Sequence, residues 1–111
     1  MRMPDLNINR EFILREALKI VNGDREQSYG NAEDNFDRVA DLWRAYLHAK
    51  IPQHYVNITG IDVANMMILL KLARTITGTG KMDNWIDIAG YAACGGAVEQ
   101  NKKAAVKKED E

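Results

Sequence analysis

Cysteine occurs once in this chain, at Cys94, and proline only twice, at Pro4 and Pro52. A lone thiol cannot close an intrachain disulfide. With no signal-peptide pattern at the start, the chain is expected in a reducing cytoplasm. Alternating β-branched residues are nearly absent, which argues against a sheet. No stretch reaches the roughly 20 apolar residues that a membrane span requires, so no membrane partner is expected. Charge of one sign is also missing. The formal net charge is −1, too small to recruit a nucleic-acid polymer or an anionic bilayer. What remains is 111 residues, 46% hydrophobic and 28% charged, the balance of a single domain that buries its core without disulfides or metals.

Four segments carry helical periodicity, and we read an all-α, four-helix bundle-like domain over residues 1–100, followed by a charged tail over 101–111. The first helix is expected from about Asn9 to Asn22, with Phe12, Ile13, Ala17, Ile20 and Val21 on its apolar side and Gly23 as its stop. The second runs from about Ala32 to Ala49. Asn31 is a plausible cap, and Phe36, Val39, Ala40, Trp43, Tyr46 and Leu47 form a continuous stripe. The segment from Ile51 to Ile58 is an irregular connector. The third helix opens at the capping-box pattern Thr59-Gly60-Ile61-Asp62 and continues to about Thr75. Apolar residues surround its axis, which predicts a central helix buried all round. Thr77-Gly78-Thr79-Gly80 ends it, and the fourth helix runs from about Met82 to Gln100. The tail, rich in Lys and Glu, reads as a frayed helix end or disorder.

The polar residues that such helices do not need are the candidates for function. Glu33 and Asp37 sit one turn apart at the border of the second helix's apolar stripe, and Asn35 falls inside its apolar half. Asp83 and Asp87 are likewise one turn apart on the fourth helix, on an arc shared with Gly90 and Cys94. Each acid has a plain alternative role: Glu33, Asp37 and Asp83 as first-turn charges, Asp62 as a capping-box partner. Asn65 has none, and is expected inside the core unless a polar site faces it. The two acidic pairs could hold Mg²⁺, which takes oxygen ligands and keeps waters or phosphates in its shell. Lys71 and Arg74 could bind phosphate or merely favour the helix C-terminus. In the loop before the second helix, Arg25 could clamp a phosphate and Tyr29 could stack on a base. Thr77-Gly78-Thr79-Gly80-Lys81 lacks the spacing and preceding strand of a phosphate loop and is rejected. Gly90, Gly95 and Gly96, with Ala92, Ala93 and Ala97, permit close helix approach inside a bundle or across a homo-oligomer. His48 and His54 are isolated.

Four segments together resemble a family of small phage and prophage proteins known as a domain of unknown function. They are Asp24-Arg25 through Tyr29-Gly30, Glu33-Asp34-Asn35-Phe36, Asp62-Val63-Ala64 through Lys71-Leu72-Ala73-Arg74, and Asp83-Asn84-Trp85-Ile86-Asp87 through Gly96. The resemblance spans about Phe12 to Glu99. It implies a phage origin and a bacterial host cytoplasm. More loosely, the acidic helix pairs and Asp83 through Ala92 are similar to all-α nucleoside triphosphate pyrophosphohydrolases of the MazG kind, which hold Mg²⁺ against nucleotide phosphates. Here Glu33-Asp34-Asn35-Phe36-Asp37 offers one Glu and two Asp where those enzymes carry a Glu-rich pair. The likeness implies catalytic and metal-binding roles for Glu33, Asp37, Asp83 and Asp87, with Asp62 a fifth ligand. Arg25, Lys71 and Arg74 are then the phosphate contacts, and Asn35, Asn84, Trp85 and Tyr91 shape the base or sugar pocket. Two alternatives stand beside hydrolysis: a non-catalytic binder that sequesters a host immune nucleotide signal, and a helical assembly module.

Overall fold

The computed structural model describes residues 8–23, 32–78 and 82–109, which form four α-helices and no strand. They are α1 (Arg10–Asn22), α2 (Ala32–Lys50), α3 (Gly60–Ile76) and α4 (Met82–Glu109). The all-α expectation therefore holds, and three helices begin and end within two residues of their expected bounds. The exception is α4, which continues through Glu109 instead of ending near Gln100. Its Lys, Glu and Ala residues are good helix formers, so nothing local stops the chain after Gln100.

The starts of α1 and α3 have local causes. Asn9 is extended, and its side-chain oxygen accepts from the Phe12 backbone N–H at 2.9 Å. At α3 the expected capping box is complete. Thr59 Oγ1 accepts from the Asp62 N–H, while Asp62 Oδ2 accepts from the Thr59 N–H at 2.9 Å. Such a cap contributes about 1 kcal/mol. The expected Asn31 cap lies outside the described residues.

Packing centres on the contact of α3 with α4, the most extensive in the molecule. Phe36 and Ala40 from α2, Ile58 from the connector, Val63 and Ala64 from α3 and Val98 from α4 form the buried core. Two glycines make this possible. A Cβ on Gly95 would come within 2.9 Å of the Ala64 Cβ, so α4 crosses α3 where neither backbone tolerates a larger residue. A Cβ on Gly60 would sit 2.7 Å from Asp37 Oδ1 and 3.3 Å from Val98 Cγ1, so the first turn of α3 is wedged against α2 and α4. The Arg44 guanidinium adds a tie, donating to the Ile58 carbonyl oxygen and to Asp41. α1 lies along α4, where Ala17 is buried and Val21 covers Gly90.

Three expectations about burial are corrected. Tyr46, placed on the buried stripe of α2 by periodicity, is exposed, because the stripe is wider than the surface its neighbours cover. Asn65 is not in the core but exposed. Helix α3 is not buried all round. Gly60, Val63 and Ala64 are buried on one side, while Met66, Leu69, Leu70, Leu72 and Ile76 on the other are exposed. A helix that is apolar on every side needs neighbours on every side, and within the described residues the extensive contacts of α3 are those with α2 and α4. No helix among the described residues is long and apolar enough to cross a membrane.

Candidate functional site

Placing the residues of α3 at 100° intervals puts Lys71 in the middle of the arc that also carries Gly60, Val63, Ala64 and Met67. This is the core-facing side of the helix. A lysine there requires a partner, and α4 supplies one. Asp87, in the middle of the inner face of α4, places Oδ2 at 3.0 Å from Lys71 Nζ. The lysine side chain retains only 16% of its exposure and the aspartate 30%. Three positions before Asp87, on the same face, Asn84 is the one buried polar residue among those described. Tyr91, one turn after Asp87, is half-buried, and its ring centroid lies 6.2 Å from that of Phe36. The inner face of α4 thus carries a carboxylate, an amide and a phenol, and the inner face of α3 the cation that pairs with that carboxylate, where apolar side chains would pack without them.

The remaining acids lie elsewhere. Asp62 is engaged with Thr59 in the capping box. Asp37 is exposed, with Oδ1 close against Gly60 at the start of α3. Both carboxylates therefore sit at the positive end of the α3 dipole, which accounts for their sign. Nine helical positions separate Asp62 from Lys71, about 13 Å along the axis. Asp83 is exposed in the first turn of α4, where an acid is also favoured. Among the described residues no three of His, Cys, Asp or Glu come together as a group able to hold a metal ion. The described side chains of the proposed Mg²⁺ set fall instead into two groups near opposite ends of α3. Glu33 lies in α2, with its side chain outside the described part, and Arg25 and Tyr29 lie outside the described residues.

The other candidates divide in the same way. Asn35 is half-buried on α2, as its place in the apolar half requires. Asn65 and Trp85 are exposed on the outer sides of α3 and α4, away from the seam. Arg74 is exposed one turn beyond Lys71. Gly90 leaves no gap beside Asp87, since a Cβ there would meet Val21 at an ordinary 3.7 Å. Sequence reasoning noticed Lys71 and Asp87 separately but did not join them. The available signal was angular: each occupies the centre of its helix's inner face.

The chain belongs to the family described as Domain of unknown function (DUF6378), which matches residues 12–99. It is 44% identical over 85 residues to the Gene 55 protein of Mycobacterium phage D29, covering 76% of this chain and 51% of that protein. It is 48% identical over 80 residues to the Gene 55 protein of Mycobacterium phage L5, covering 72% and 47% respectively. The chain thus spans about half the length of the curated relatives it matches. The likeness to small phage proteins of unassigned function stands. No solved structure matches the chain, and the likeness to MazG-type enzymes remains an expectation.

Proposed function

We propose that this member of the DUF6378 family binds a nucleotide or nucleotide-derived small molecule at the seam between α3 and α4. The observation that carries the reading is the ion pair of Lys71 with Asp87, three-quarters or more withdrawn from water on the lysine side and set on facing inner helix faces. A pair of this kind adds little stability relative to apolar residues of equal volume, because desolvating two charges offsets their attraction. Its presence in a seam that otherwise packs Ala64 against Gly95 favours a recognition role. In this reading Lys71 meets phosphate oxygens, Asp87 accepts from sugar hydroxyls, and Asn84 reads a base edge through its amide.

Binding without hydrolysis is the form we favour, since the described carboxylates do not gather into a Mg²⁺ donor set. The test is a thermal-shift and calorimetric screen of nucleoside mono-, di- and triphosphates and cyclic dinucleotides, each with Mg²⁺ and with a chelator. Stabilisation that survives the chelator and disappears in Lys71→Met supports the binder. Pyrophosphate release that needs Mg²⁺ and is lost in Asp87→Asn would replace it with the hydrolase. Silence toward the whole panel would remove both.

A further inference from the structure

The outer side of α3 is the least expected surface of the molecule. Met66, Leu69, Leu70, Ala73 and Ile76 recur at helical spacing within an arc of about 120°, and no charge interrupts them. Leu69 is 62% exposed and Ile76 is 77% exposed.

We propose that this stripe is the contact face of a two-fold symmetric homodimer, in which α3 of one copy packs antiparallel against α3 of its partner. A standard interface removes about 800 Å² per partner, and Met66, Leu69, Leu70 and Ile76, all exposed, would form its apolar centre. The charges fit a second copy in this orientation. The acid in the first turn of α3 is Asp62 and the base in its last turn is Arg74. A two-fold near Leu69 and Leu70 brings the acidic end of each helix toward the basic end of the other and opposes their dipoles. On α4, Gly90 and Gly95 are already covered by Val21 and Ala64 within the chain, and what stays open there is only the small side of Ala92, Ala93 and Gly96, which offers none of the large apolar side chains of the α3 stripe. The dimer stands on the opposite side of α3 from the Lys71–Asp87 seam and does not rest on the nucleotide reading.

Sedimentation equilibrium of the full chain tests it. Wild type is expected to dimerise, and Leu69→Glu/Leu70→Glu to raise the dissociation constant roughly a hundredfold or more while keeping the helical circular dichroism. If that variant does not fold, oxidative cross-linking in a Cys94→Ala background decides. Leu70→Cys, near the axis, links two copies, whereas Leu42→Cys, exposed on α2, does not. A wild type that stays monomeric into the hundreds of micromolar would overturn the proposal and leave the stripe to another chain or segment. So would a folded Glu variant that dimerises like wild type, or linkage through Leu42→Cys alone.

Discussion

The two sides of α3 invert the usual arrangement. Its inner side, facing α4, carries Lys71 paired with Asp87. Its outer side carries Met66, Leu69, Leu70 and Ile76 in the open. In a self-sufficient monomer the charge belongs outside and the leucines inside. The difference separates two kinds of constraint. The outer side is what packing against something else demands, and the inner side is what packing within the chain does not demand. Among the described residues eight hydrophobic side chains are buried while sixteen large ones are exposed, so the intrachain core is small and the comparison is not a detail of one helix.

Substitutions break the comparison in a graded way. The largest loss is expected from Phe36→Ala, which empties the centre of the core that both inner faces share and costs about 3–5 kcal/mol in chemical denaturation. Gly95→Val drives a branched side chain into Ala64 and separates α3 from α4, costing about 1–3 kcal/mol or more by the same measurement. Lys71→Met leaves Asp87 without its partner and falls in a similar range, about 1–3 kcal/mol, because the pair is only partly shielded. Thr59→Ala removes half of the capping box and costs about 1 kcal/mol. All four lower stability at any protein concentration. Outer-side changes at Leu69 and Leu70 are expected to remove only the concentration-dependent part of the melting temperature, which mass action assigns to assembly. An outer-side change that destabilises equally at every dilution would erase the distinction.

Local rules made the helices legible in advance. The periodicity of α1 and α2, the Thr59-Gly60-Ile61-Asp62 box and the break after Ile76 set element bounds to within a residue or two, because caps and apolar stripes act over one or two turns. Burial was less legible, since it depends on which neighbour covers which face. Asn65 looked internal because α3 is apolar on all sides, and the sequence of one helix does not say how many neighbours it has. The site was half legible. Asp87 and Lys71 each stood out, yet their pairing is set by the crossing of α3 over α4 at Gly95, a tertiary fact. Of the acids grouped by spacing as a metal set, Asp37 and Asp62 stand at the α3 N-terminus, where the dipole and the capping box favour them, while Asp83 and Asp87 stand on α4 near the other end of α3.

The central claim is that the polar inner seam serves recognition and not packing. The most direct measurement replaces both partners with apolar residues of similar size, Lys71→Met with Asp87→Leu, and follows stability and nucleotide binding on the same protein. The account predicts a double variant about as stable as wild type or slightly more so, with coupling between the two sites in the mutant cycle, and with nucleotide binding abolished. A double variant that binds nucleotide as wild type does would contradict it.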